Sequence, residues 1–176
     1  MPFYPATPGW QLHTITTFDY FSVGVEDRAI TSDPSSATWV AANRAILVPV
    51  YIPDWGTVVK LFMANGTVVS GNIDMGLYDE SFNRLVSIGS TAQSGTSDLQ
   101  VFDITDTTIG PGRYYLAGVL DNVTGTVMRN GSSLYGQRAS GLCEMGSAFA
   151  LPTTITPGSM SNAFLPLMGL TYRTTV

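Results

Sequence analysis

The run GNIDMGLYDESFNRLVSIGST, residues 71–91, places three carboxylates close enough together to do chemistry: Asp74, Asp79 and Glu80. Neighbouring carboxylates can hold a cation or divide the roles of general acid and general base. A calcium loop needs about six oxygen ligands, usually with a tight glycine and a bidentate carboxylate. The spacing of these three acids does not provide that set, so the run is not predicted to bind a metal.

The same run has the pattern of paired strands. Ile73, Met75 and Leu77 alternate with polar residues, which predicts a half-buried strand with Asp74 on its solvent face. Asp79 and the residues after it lie between two strand-like runs, where short polar side chains close turns by bonding the backbone. We therefore expect a hairpin here and no reaction centre.

Other catalytic arrangements fail for lack of residues. His13 is the single histidine and Cys143 the single cysteine, and the sequence contains no GxSxG, HExxH or CxxC motif. We predict no catalytic residue, no metal and no cofactor, and we expect Cys143 to be a buried, inert thiol. The remaining enzymatic alternative is a glycosidase, because two carboxylates can meet in space in any fold.

Composition excludes several partners. The chain of 176 residues is 44% hydrophobic but only 12% charged, with a net charge of −5 and Lys60 as its one lysine. That charged share is about half the usual one, which is typical of surfaces buried in assemblies. Nucleic-acid binding requires clustered cations, and none are clustered here. No apolar run approaches the roughly 20 residues that cross a bilayer, and the opening MPFYPATPGW is unlike a signal peptide.

Strand signals dominate the middle of the chain. Runs such as AILVPVYI and TVVKLFMA are separated by turn residues, and Asn65-Gly66 fits a type I′ hairpin turn. We predict an all-β fold, an antiparallel β-sandwich of jelly-roll type, over residues 44–149. Residues 1–43 are predicted to be an extended N-terminal arm with a partial strand near HTITTFDYFSVGV, and residues 150–176 a Pro- and Thr-rich C-terminal arm.

The central segments SGNIDMGLYD, RLVSIGSTAQSG and PGRYYLA resemble a domain that recurs in structural proteins of tailed bacteriophages. The resemblance covers about the middle half of the chain. It departs at the turn, where the family usually has a glycine and this chain has Phe82. The resemblance implies a virion component without enzymatic activity, and it supplies no catalytic residue.

The leading hypothesis is a capsid decoration (cement) protein. It would be a homotrimer that binds the major capsid protein or other virion proteins, assembles in the host cytoplasm and is released on lysis. Its expected anchors are apolar residues of the two arms: Phe3, Tyr4, Trp10, Phe164, Leu165 and Leu167. The alternative for these residues is that they fold back and cap their own sandwich.

A second hypothesis is a tail or fibre module that recognises a host-surface glycan. Aromatic rings can stack on the apolar faces of sugars, and Trp55 and Tyr78 are the residues expected to do so.

Overall fold

The computed structural model describes residues 10–17, 34–131 and 133–175. These residues form antiparallel strands and one short helix, which confirms the predicted all-β sandwich of jelly-roll type. No helix among the described residues is long and apolar enough to cross a membrane. The first strands are β1 (Trp10–Thr16), β2 (Ser35–Thr38), β3 (Ala45–Ile52), β4 (Gly56–Ala64), β5 (Asn72–Tyr78), β6 (Arg84–Ser87) and β7 (Thr91–Ala92). The others are β8 (Leu99–Ile109), β9 (Gly112–Leu120), β10 (Thr126–Asn130), helix α1 (Leu134–Ala139), β11 (Cys143–Met145), β12 (Gly158–Ser159), β13 (Leu165–Pro166) and β14 (Met168–Thr175).

One layer of the sandwich is a four-stranded sheet in the order β1-β14-β4-β8. Strand β14 pairs with β1 on one side, from Trp10–Thr175 to Thr16–Gly169. On its other side it pairs with β4, which in turn pairs with the 11-residue edge strand β8. The sheet therefore joins the two ends of the described chain to its centre.

The facing layer is a larger sheet in the order β12-β11-β3-β9-β5-β6, with β7 added alongside β5. The apolar residues of β3 and β5 that alternate toward the other sheet are buried with those of β4 and β14 in one core. The largest fully buried members include Ile46, Ile52, Leu61, Met63, Ile73, Met75, Leu77 and Leu116. This core provides the main apolar burial that stabilises the two layers.

A small sheet of β13, β10 and β2 closes one side of the core. Trp39 lies beneath it, where its indole Nε1 donates to the Arg44 carbonyl at 2.7 Å and its ring meets Phe164 edge-on at 5.2 Å. The Arg129 guanidinium lies 5.6 Å from the centre of the Phe164 ring. The indole thus has both apolar contact and the partner that a buried N–H requires.

The outer face of the larger sheet is also covered. Residues 146–156, which we call the strap, lie over it, and Ala148, Leu151 and Ile155 form a second core with Tyr78 and Tyr115. Backbone hydrogen bonds fix the strap at both ends, from Ala148 N to the Asn43 carbonyl at 2.7 Å and from Ile155 N to the Phe82 carbonyl at 3.0 Å. Both faces of the sheet are therefore dry along β5.

The boundaries predicted at residues 43–44 and 149–150 divide strands that pair with one another. Strand β1 belongs to the first zone and β14 to the last, yet they pair along their whole length. Strand β2 of the first zone pairs with β10 of the middle zone. In the described residues, the two terminal zones thus contribute strands to the sandwich.

The hairpin predicted at Asn65-Gly66 is wrong. Strand β4 ends at Ala64 and pairs with β8 and β14, and the next strand begins at Asn72. Gly66 meets a different need: a Cβ there would lie 2.2 Å from the Ser36 hydroxyl oxygen. The glycine permits close contact between chain segments and does not form the tight turn that the dipeptide usually marks.

Gly169 in β14 provides a test of the four-stranded sheet. A Cβ at this position would lie 2.0 Å from the Phe62 ring and 2.6 Å from the Ile15 carbonyl oxygen. We expect Gly169→Ala to lower the free energy of unfolding by about 1–3 kcal/mol, as overpacking does. Gly158→Ala in β12 is the control, because its Cβ would have only an ordinary contact at 3.5 Å. Urea denaturation measures both, and equal midpoints for the two variants would contradict this packing.

Candidate functional site

Asp79 of the acidic run is used in a turn. Asp79 Oδ1 accepts from the backbone N–H groups of Ser81 and Asn83, each at 2.9 Å, which is the predicted turn chemistry. Phe82, which lies in this turn, has a left-handed φ of 63°, and its ring packs on Tyr115 with ring centres 4.5 Å apart. The described residues contain no group of three or more His, Cys, Asp or Glu side chains placed to hold a metal ion.

Asp74 is buried, although alternation predicted that it faces solvent. Its side chain points away from Ile73 and Met75 as expected, but the strap covers that face. Asp74 Oδ2 accepts from the Leu151 N–H at 2.9 Å, and Oδ1 has no hydrogen-bond partner among the described residues. Burial raises the pKa of this carboxyl above its ordinary 3.8, and the Leu151 N–H and the Arg84 charge oppose the rise.

The single histidine and the single cysteine are both packed among neighbouring side chains of the sandwich. His13 stacks on Tyr172 with ring centres 5.0 Å apart, and its Nε2 lies 3.1 Å from the Thr174 hydroxyl. Burial raises the pKa of the Cys143 thiol to about 11, while the charge of Arg113 lowers it in part. A thiol with a pKa this high is almost entirely protonated near neutral pH, so it is a poor nucleophile.

The surface feature that stands out is an apolar end of the sandwich. Leu12, Tyr51 and Trp55 are 66%, 60% and 71% exposed, and exposed apolar residues that gather at one place mark interaction sites. The strand register places all three at one end: Leu12 lies level with Thr57 across β14, and Tyr51 and Trp55 flank the turn between β3 and β4. We call these three residues the apolar end.

Trp55 is held in position even though it is exposed. Its ring lies against Gly110 in the turn between β8 and β9, where an added Cβ would be 3.1 Å from the ring. The Tyr114 hydroxyl donates to the Gly110 carbonyl at 3.0 Å and fixes that turn. An exposed aromatic ring on a fixed support loses little conformational freedom on binding.

The chain enters and leaves the described structure at this same end. Trp10 pairs with Thr175, two residues beyond the level at which Leu12 meets Arg173. Residues 1–9 therefore join the sandwich beside the apolar end. The end that exposes Leu12, Tyr51 and Trp55 is therefore also the end at which residue 9 is bonded to β1.

The predicted arm anchors fall into three groups. Phe3 and Tyr4 lie outside the described residues, and Trp10 is placed in β1 by its backbone. Phe164 and Leu165 are buried in the main core. Leu167 is part-buried, and its backbone bonds Met128 and Ala64 on either side. Phe164 and Leu165 thus follow the alternative expectation, in which the arm residues fold back and cap their own sandwich.

The two predicted glycan-stacking residues also separate. Tyr78 is fully buried, and its hydroxyl donates to the Pro152 carbonyl at 2.6 Å, so its ring offers no face to a ligand. Burial raises the pKa of that hydroxyl. Of these two residues, only Trp55 has an exposed ring. Sequence reasoning missed Leu12 and Tyr51, although Leu12 alternates with the inward-facing His13 and could have been assigned to the outer face.

No family model matches the chain, and no curated protein matches its sequence. Among solved structures, the chain is similar to VP2 of infectious bursal disease virus in its subviral particle, with 10% identity and a TM-score of 0.37. The Gt strain of the same virus gives 10% identity and a TM-score of 0.35. The chain is covered almost completely but spans only 46% and 45% of those chains. TM-scores this low carry no argument, so function rests on the chain's own geometry.

Asp74 makes stability depend on pH in a defined direction. Because its pKa is raised in the folded protein, the folded state holds the proton more tightly than the unfolded chain. Its stabilising contribution is therefore complete below pH 3.8 and is lost as pH rises through the folded pKa. We expect Asp74→Asn to be at least as stable as the native chain at pH 7, and to lose that relative advantage at pH 3.

Urea denaturation of both proteins between pH 3 and pH 7 measures the difference between their free energies of unfolding. The titration of the other carboxylates is common to both proteins and cancels in this difference. Asp103→Asn is the control, because that side chain is exposed on β8 and faces Lys60 at 3.5 Å. A native-minus-variant difference that does not change with pH would show that Asp74 does not titrate as its burial requires.

Proposed function

We propose that this chain is a non-enzymatic structural protein of a bacteriophage virion, and that it decorates and cements the capsid. The observation that carries the proposal is the apolar end, where Leu12, Tyr51 and Trp55 are exposed beside the point at which residues 1–9 join the sandwich. The resemblance of the central segments to tailed-phage structural proteins supports the virion as its location.

The chemistry of the apolar end fits attachment to protein. Tryptophan and tyrosine are enriched among the residues that dominate protein interfaces, because each buries a large area with few rotatable bonds. Burial contributes roughly 25 cal/mol per Å² before the costs of association. Phe3 and Tyr4 precede Trp10 in the chain, and we propose that they supply a second contact, because two linked contacts to one support gain avidity.

The proposed partner is the major capsid protein or another virion protein, and the proposed state is a homotrimer. Three linked copies multiply a weak contact in the same way as two linked segments do. Light scattering of the purified chain tests the state, since a trimer has three times the 18.8 kDa mass of one chain. The copy number in purified particles tests the location: hundreds of copies fit a shell, and a few copies would place the protein in the tail.

Replacing Trp55 tests attachment. We expect Trp55→Ala to lower capsid occupancy by at least about tenfold, since an interface aromatic contributes on the order of 2 kcal/mol, with little change in melting temperature. Tyr135→Ala is the matched control, because Tyr135 on α1 is 79% exposed and lies outside the apolar end. Gel densitometry of particles incubated with each variant measures occupancy. Equal loss for the two variants would reject the apolar end as the attachment surface.

Removing residues 1–9 tests the tethered segment. We expect the truncated chain to keep its melting temperature, because β1 begins at Trp10 and its pairing with β14 is retained. Capsid occupancy should fall as the second contact is lost. Calorimetry and particle binding measure the two effects separately. A fall in melting temperature comparable to that caused by a core substitution would place residues 1–9 in the chain's own fold and contradict the proposed role.

A further inference from the structure

A cleft lies at the far end of the sandwich from Trp55. Strand β4 separates them: Trp55 precedes its nine residues and Asn65 follows them, which is about 30 Å at ~3.3 Å per residue. The cleft has a volume of about 380 Å³, in the lower part of the range of roughly 300–1,000 Å³ found for small-molecule sites. Its lining includes Ser36, Thr67, Ser97, Asp98, Leu99 and Met128.

A network of buried amides holds one wall of this cleft. Asn65 Nδ2 donates to the Ser94 carbonyl at 2.6 Å and to Gln100 Oε1 at 3.0 Å. Gln93 Nε2 donates to Asn65 Oδ1 at 2.9 Å and to the Thr126 carbonyl at 2.8 Å. Asn65 and Gln93 are both buried. Networks of this kind are satisfied only in one arrangement, so they rigidify the segment they hold.

The segment held by this network is the loop before β8, which presents polar groups to the cleft. Ser97 N donates to the Gly66 carbonyl at 2.7 Å, and Asn65 N donates to the Asp98 carbonyl at 2.9 Å. Ser97 adopts a left-handed φ of 55°, a conformation that costs free energy in a residue other than glycine and persists where the surroundings enforce it. The Leu99 N–H donates to Asp98 Oδ1 at 2.7 Å, which holds the exposed Asp98 carboxylate at the start of β8.

The lining has the mixed character that a sugar ring requires. Ser97 and Asp98 carry groups that bond ring hydroxyls, and Leu99 and Met128 carry apolar groups that suit the C–H faces. The Thr67 hydroxyl lies 3.1 Å from the Ser36 hydroxyl and retains capacity for one more hydrogen bond. Among the residues that the structure describes, the lining contains no lysine, arginine or histidine, and its one charge is negative. An anionic ligand would meet repulsion without a compensating cation.

We propose that this cleft binds a neutral carbohydrate, one or two hexose units of a glycan. Preorganisation of Ser97 and Asp98 lets the hydroxyls bind without the cost of ordering the loop. The site is separate from the apolar end, so attachment at one end leaves the cleft accessible at the other. The proposal therefore goes beyond the structural role, and each can fail without the other.

Amide chemical-shift mapping of the full chain tests the proposal, with lactose, maltose and chitobiose as neutral probes and sialyllactose as the anionic probe. We expect saturable shifts at residues 66–67 and 97–99 with at least one neutral probe, at a Kd of about 1 mM. Sialyllactose should bind at least about tenfold more weakly than lactose, because its carboxylate approaches Asp98.

Variants separate binding from folding. Asp98→Ala should raise the Kd for the neutral probe by about tenfold, as expected for a lost hydrogen bond to a charged group. Asp103→Ala should leave the Kd for the same probe unchanged. Ser97→Gly removes the hydroxyl but relieves the left-handed strain, so affinity should fall while the melting temperature is kept or raised.

Any of three results would overturn the proposal. The first is no saturable shift at the cleft with any of the three neutral probes. The second is shifts that cluster at Trp55. The third is tighter binding of sialyllactose than of lactose. Particle binding does not enter this experiment, so a negative result leaves the proposed attachment untouched, and loss of attachment leaves the titration valid.

Discussion

Strand β14 is hydrogen-bonded on both sides, to β1 and to β4, and this double pairing joins the beginning and end of the described chain to its middle. Without it, β1 would be a lone strand far in sequence from any partner. The close fit of Gly169 against Phe62 and the Ile15 carbonyl shows how little room the three strands leave. Because the pairing is antiparallel, Trp10 and Thr175 lie together at one end, and this is the end where Leu12, Tyr51 and Trp55 are exposed.

The second constraint is the strap. A half-buried strand should show one apolar and one polar face, and β5 does show that alternation, with Ile73, Met75 and Leu77 on one side. The strap then covers the other side as well. Its residues 146–156 carry no ionisable side chain, so Asp74 is buried against backbone groups, with the Arg84 charge as the nearest compensation. The desolvated carboxyl follows from covering a polar face with an uncharged segment.

Local patterns predicted the sandwich well. The β-rich run of β3, the alternation in β5 and the Asp79 turn each depend on residues close in sequence, and each is present in the structure. What failed depends on distant contacts. Asn65-Gly66 has the composition of a hairpin turn, but Asn65 is used in an amide network with Gln93 and Gln100. No local pattern indicates that residues 28 and 35 positions further along the chain will meet it.

The exposure of individual side chains was predicted less well for the same reason. Trp55 was identified from its type and its place in a loop, whereas Tyr78, equally aromatic, is covered by the strap. Phe164 and Leu165 look like candidates for contact with a neighbour only while the core beneath them is unknown. Exposure is decided by how the layers close, and that information is spread over the whole chain.

Strand β4 runs from the Trp55 end of the sandwich to the opposite end, and this direction has a practical consequence for engineering. A peptide fused directly before residue 10 or after residue 175 would start at the Trp55 end. If that end attaches as proposed, the peptide would lie between the protein and its support. A peptide inserted near residues 68–70, in the irregular segment between β4 and β5, would instead project from the opposite pole. A display scaffold based on this chain should therefore carry its cargo internally and leave both of its ends unmodified.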